Sequence, residues 1–167
     1  MNAPKGHELK YAIIERERRF LCRTMPPGDV VKVARIRDRY IDGTRLRLRE
    51  MKQSDGVFYK LTQKIPEDQR LTTIYLSRAE YDVFAQLPAH TLAKTRHSIP
   101  PFGVDVFEGE LAGLLIAEAE LDDDDAMARL PRPPWGVEVT NDVRFTGGHF
   151  VTLDRDRLRE LLATVTR

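Results

Sequence analysis

Little in this chain points outside a reducing, aqueous compartment. Its 167 residues contain one cysteine, Cys22, so no internal disulfide can form. One cysteine and four scattered histidines also leave no ligand spacing for a closed structural zinc site. No run of 18 apolar residues is present, which removes a membrane-spanning helix. The first residues lack the apolar stretch of a secretory signal, so a cytoplasmic protein is expected. Charge of one sign is missing too. Twenty-seven Lys and Arg against 26 Asp and Glu give a formal net charge of +1. A protein that coats nucleic acid is normally basic overall, so that class is disfavoured. Internal repeats and low-complexity tracts are absent.

What is abundant is charge of both signs. Charged residues make up 32% of the chain, above the usual quarter. A length of 167 residues fits a single domain, 1–167, with a real core. Most of it reads as extended strand. The expected strands run over about residues 9–21, 30–40, 45–50, 57–65, 71–76, 90–99, 103–108 and 114–121, with a short one near 135–140. Asp42-Gly43 and Ser54-Asp55-Gly56 are turn signals between extended runs. Ser77-Arg78-Ala79-Glu80 has the form of a helix capping box, with Leu76 and Tyr81 placed as a hydrophobic staple. The acidic run Asp122–Asp125 reads as a helix start, since carboxylates favour the positive end of the helix dipole. Leu158, Leu161, Leu162 and Val165 have helical spacing and mark a packing stripe on a last helix. Residues 1–7 read as a loose tail, and Gly147-Gly148 as loop.

Alternation along the strands carries the chemistry. Side chains two apart share a face of a strand. Glu15, Glu17 and Arg19 therefore form one row, as do Arg45 and Arg47, Lys60 and Lys64, Lys94 and Arg96, and Glu118 and Glu120. Two arrangements satisfy this pattern. The charges face water in an ordinary sheet, or they line a polar hollow while apolar residues face outward under helices. The hollow is tolerable only if each charge finds a partner, because an unpaired buried ion costs several kcal/mol. Carboxylates on two strands could hold an oxygen-loving divalent cation, and the Arg and Lys rows could hold an anion rich in oxygen. Phosphoryl transfer uses that combination, with positioning and electrostatic clamping supplying most of the rate.

The same residues resemble a known family. Glu15-x-Glu17-x-Arg19 is similar to the Glu-x-Glu-x-Lys signature of the CYTH domain, the triphosphate tunnel metalloenzymes. Thr44-Arg45-Leu46-Arg47 resembles the family's paired-arginine strand, Leu61-Thr62-Gln63-Lys64 its Leu-Thr-x-Lys strand, and Lys94-Thr95-Arg96 its Lys-Thr-Arg. Val104-Asp105-Val106-Phe107, then Gly113-Leu114 and Ala117-Glu118-Ala119-Glu120-Leu121, resemble its late acidic strands. Glu138-Val139-Thr140 is similar to its closing Glu-Val-Thr. These segments keep the family's order across about residues 9–150.

The resemblance implies an α+β fold: an eight-stranded antiparallel barrel forming a tunnel with a polar interior and helices packed outside. It implies Mg²⁺ or Mn²⁺ held by Glu15, Glu17, Glu118 and Glu120, with Asp105 nearby. Arg45, Arg47, Lys60, Lys64, Lys94 and Arg96 are expected to grip the triphosphate, and Glu17, Arg19 and Lys64 to act in catalysis. The expected activity is hydrolysis of a triphosphate, inorganic tripolyphosphate first. A class IV adenylyl cyclase and a non-catalytic polyphosphate-binding module are the alternatives. The expected partner is a small triphosphate-bearing molecule, with neither nucleic acid nor membrane, and a homodimer is left open. Arg19 departs from the family's Lys, keeping the charge in a bulkier, planar group that cannot act as a base. Arg35, Arg37, Arg39 and Arg49 read as surface residues.

Overall fold

The computed structural model describes residues 9–66 and 69–165; the expected N-terminal tail and the centre of the loop after Ile65 lie outside them. Ten strands form one antiparallel sheet. They are β1 (Ile13–Ile14), β2 (Glu17–Cys22), β3 (Lys32–Ile41), β4 (Leu46–Gln53), β5 (Gly56–Ile65), β6 (Arg70–Leu76), β7 (Ala89–Ile99), β8 (Phe102–Phe107), β9 (Leu115–Glu120) and β10 (Gly136–Glu138). The helices are α1 (Arg78–Phe84), α2 (Asp124–Arg129), α3 (Gly147–Phe150) and α4 (Arg155–Val165). The sheet order is β1-β6-β5-β4-β3-β7-β8-β9-β2-β10.

Local chemistry explains most boundaries. Gly43 adopts φ +68° in the turn joining β3 to β4, a conformation that glycine reaches without a Cβ clash. Ser77 and Glu80 complete the capping box at α1 in both directions, and Leu76 and Tyr81 pack in one cluster with Leu48 and Leu61. The Asp123 side chain accepts from the Ala126 N–H and starts α2, as the acidic run indicated.

Two features of the expected architecture are corrected. Among the described residues there are ten strands rather than eight, and the ladder does not close on itself, because β1 and β10 are not paired with each other. The expected first strand breaks at Glu15-Arg16. The Glu15 N–H donates to the Gln69 carbonyl, while the Arg16 carbonyl accepts from Leu121 N–H. One stretch of chain thus serves β6 with its first half and β9 with its second. Backbone, not a hydrogen-bonded ladder, spans the two ends of the sheet.

The second correction concerns the helices. α1 covers the back face of the sheet over Leu48 and Leu61. The C-terminal segment instead packs on the charged face. Phe145, Phe150, Leu158 and Leu161 cluster there with Leu92, Phe107 and Ile116, and Leu21 and Tyr40 pack against them. Those sheet residues follow the alternation of the charged rows, so one end of that face is apolar and the chain's own terminus covers it.

Candidate active site

Strand register gathers the charged rows. Directly opposed residues in an antiparallel pair lie on the same face. Arg19 opposes Glu118 and Glu17 opposes Glu120. Arg96 opposes Asp105. Arg47 opposes Thr62, and Arg49 opposes Lys60. Tyr40 opposes Arg47, and Asp38 opposes Arg49. The face is concave. Arg49 on β4 and Glu118 on β9 are four strands apart, roughly 19 Å in a flat sheet, yet Arg49 acts electrostatically on Glu118. Lys64 on β5 likewise reaches Glu15, at 2.8 Å and 3.1 Å from its two oxygens.

Most expected site residues are met on this face, but they divide by partner. Asp105, with no solvent exposure, takes two hydrogen bonds from Arg96 at 2.6 and 2.7 Å and a third from Lys94. Arg96 also bonds Glu118. Both oxygens of Asp105 accept from cations, so it holds Lys94 and Arg96 in place. Arg19 lies 3.6 Å from Glu17 and donates to the backbone carbonyls of Phe145 at 3.1 Å and Thr140 at 2.6 Å. Arg45 is exposed. Lys60 sits over the Tyr75 ring, 5.1 Å from its centroid. The Arg47 Nε is buried without a hydrogen-bond partner among the described residues. Glu120 is exposed at the end of β9.

The acidic side is crowded. Burial pushes the Glu17 carboxyl up to about 7, and the charges of Glu118 and Glu15 add to that, against opposition from Lys64 and Arg19. Burial also raises Glu118, but Arg96, Lys94 and Arg49 outweigh it and hold this carboxyl down at about 2. Neighbouring carboxylates that repel one another suit a divalent cation. The donors are all oxygen, as Mg²⁺ and Mn²⁺ prefer. Among the described residues no three such side chains converge into a ready-made cage.

Several groups escaped the sequence reading. Asp38 is 1% exposed and receives Arg49 Nε and Nη2 at 2.6 and 2.7 Å. Arg49 is buried, contrary to the expected surface position, because Asp38 meets it across the strand pair. Tyr40 opposes Arg47 across the strand pair, and burial pushes its hydroxyl up to about 12. The Thr62 and Thr73 hydroxyls meet at 2.9 Å. The missed signal was the register of β3 with β4: Asp38 and Tyr40 share the face of Arg47 and Arg49, while Arg35, Arg37 and Arg39 point to the back. Of the late residues, Arg144 is held by Asp142 at 2.6 Å and by Thr164 at 3.3 Å.

Fold and site define an antiparallel sheet protein with a few helices, one face of which gathers carboxylates and cations from several strands. Comparison with known proteins narrows that class. No family model matches the chain. An inorganic triphosphatase of Nitrosomonas europaea is 36% identical over 151 residues, which is 78% of this chain and 92% of the relative. A crystal structure of the inorganic triphosphatase NE1496 aligns with TM-score 0.57 and 26% identity, covering 89% of this chain and 98% of that one. The PH1819 protein of Pyrococcus horikoshii OT3 shares the fold, with TM-score 0.52 at 14% identity over 68% of this chain and 82% of its own. The chain belongs to the CYTH family, the triphosphate tunnel metalloenzymes, alongside the inorganic triphosphatase.

Proposed function

We propose that this chain is a metal-dependent triphosphatase that cleaves inorganic tripolyphosphate to diphosphate and phosphate. The observation that carries the reading is one concave face with crowded carboxylates on β2 and β9 and three cations, Arg45 just before β4, Arg47 on β4 and Lys60 on β5, that meet no carboxylate among the described residues. Its 36% identity to an inorganic triphosphatase supports the same conclusion.

In this reading Glu15, Glu17, Glu118 and Glu120 hold Mg²⁺ or Mn²⁺. The ion, when bound, screens phosphate charge and lowers the pKa of a water. Arg47, whose Nε has no hydrogen-bond partner among the described residues, donates to phosphate oxygens, while Arg45 and Lys60 add charge from the side. Lys64 leaves Glu15 for the substrate as the anion enters. Lys94 and Arg96 are set by Asp105 and present their remaining N–H groups to the anion. Arg19 acts mainly by fixing the C-terminal segment beside Glu17. The concave face surrounds the substrate as a tunnel, with Glu15-Arg16 bridging the sheet ends.

Phosphate release tests this directly, with tripolyphosphate, ATP and thiamine triphosphate as substrates. Release from tripolyphosphate is expected with Mg²⁺ or Mn²⁺, to vanish with a chelator, and to return on adding metal. Folded protein inactive on all three substrates with both metals contradicts the reading. Tight tripolyphosphate binding without turnover identifies a binding module instead.

A further inference from the structure

Tyr75 lies on the charged face, and neither the chemistry nor the packing above uses it. It opposes Lys60 across β5 and β6, and Lys60 in turn opposes Arg49, so the three occupy one row. Tyr75 is 72% exposed, although its ring lies on the face that carries the phosphate-gripping cations. Lys60 covers one side of the ring, 5.1 Å from the centroid. That ammonium has no carboxylate partner recorded among the described residues, so the ring holds it on the site side of β5. The C-terminal cluster that covers the apolar end of the face includes Tyr40 and Leu92 but neither Lys60 nor Tyr75.

The face therefore changes character from strand to strand. Carboxylates stand on β2 and β9, Arg47 on β4 and Lys60 on β5 meet no carboxylate among the described residues, and an open aromatic ring stands on β6. Tyr75 lies two strands and one row from Arg47, roughly 12 Å on ordinary strand spacings. In the triphosphatase reading the metal-held end of the triphosphate lies by the carboxylates, and its other end, the near phosphate, is directed toward the cations of β4 and β5, Lys60 among them. Anything attached to that near phosphate then meets Tyr75.

We propose that Tyr75, backed by Lys60, is a stacking platform for a flat aromatic group carried on the substrate's near phosphate. It rests on the triphosphatase reading and deepens it, giving the site an affinity for nucleoside triphosphates that the phosphate contacts alone do not supply. Aromatic rings stack on nucleobases with little base preference, since every base offers a π-face. A cation over the far side of the ring leaves the other side free and places a positive charge beside the sugar-linked phosphate.

The test compares ATP with tripolyphosphate in wild type, Tyr75→Ala and Tyr75→Phe. Calorimetric affinity is measured beside kcat/KM, so the platform is read even without turnover. Tyr75→Ala is expected to weaken ATP relative to tripolyphosphate by about five- to a hundredfold, the range seen when stacking is lost. Tyr75→Phe keeps the ring and is expected to restore the wild-type ratio to within about twofold. Circular dichroism checks that the variants fold. An unchanged ratio in Tyr75→Ala overturns the proposal, as does wild type that binds tripolyphosphate but not ATP. Both results leave the tripolyphosphatase reading intact. Loss of tripolyphosphate hydrolysis with ATP discrimination still present at Tyr75 strikes that reading instead and spares the platform.

Discussion

Asp38 sits beneath the site with 1% exposure, and the Arg49 guanidinium bonds both of its carboxylate oxygens. Burial alone would raise its pKa, yet Arg49, Arg47 and Lys94 outweigh burial and hold it far below the usual carboxylate range. Because the folded value lies under the unfolded one, the stabilisation is fully present above about pH 4 and is lost as pH falls below that. Urea unfolding should show stability declining steeply on the acid side of pH 4, and much less so in Asp38→Asn. Asp38→Ala leaves Arg49 buried without its partner and is expected to cost about 3–5 kcal/mol; a loss under 1 kcal/mol would show that water replaces the pair. This residue was hidden in the sequence. The arginines at 35, 37 and 39 dominate β3 by eye, and only the register with β4 reveals that the opposite row carries the site.

At the scale of elements, two local contacts add to the apolar cluster that holds the C-terminal segment. Arg19 donates to the carbonyls of Thr140 and Phe145. A lysine offers one ammonium where the guanidinium offers a fork. Arg19→Lys is expected to lose about 1 kcal/mol, the worth of one such hydrogen bond, and so roughly 2–4 °C in Tm. An unchanged Tm with a large fall in kcat would instead make Arg19 a reacting group. Gly147 is the second contact, since a Cβ there would stand 2.0 Å from the Tyr40 hydroxyl oxygen. Gly147→Ala should speed amide hydrogen exchange over residues 143–165 while leaving the β3–β4 pair protected. The sequence announced α1 through its capping box and α4 through its leucine stripe, because both signals are local. It read Gly147-Gly148 as loop, since the short helix there exists only because Phe150 inserts beside Phe107 and Phe145, at 5.3 and 6.2 Å between ring centroids.

Across the whole molecule, alternation made the charged face legible before any coordinates. Glu17 with Arg19, Arg45 with Arg47, Lys94 with Arg96 and Glu118 with Glu120 are each two residues apart, and a strand turns that spacing into a shared direction. How the sheet ends meet was not legible. The switch of partners at Glu15-Arg16 depends on Gln69 and Leu121, far away in the chain. The inward packing of the C-terminal helices was hidden for the same reason: Leu21, Leu92, Phe107 and Ile116 come from four strands, and no one strand shows that they form a common apolar end.

The central claim is that cations on this face act on a triphosphate rather than merely balancing nearby carboxylates. Arg47 tests it best, because its Nε is buried with no hydrogen-bond partner among the described residues. The decisive measurement is kcat/KM for tripolyphosphate hydrolysis in Arg47→Met, a substitution that keeps much of the side chain's bulk. Loss of one preorganised contact to developing charge should lower it about 10²–10³-fold, with the fold retained by circular dichroism. Activity within twofold of wild type would contradict the assignment of this face as the triphosphate site.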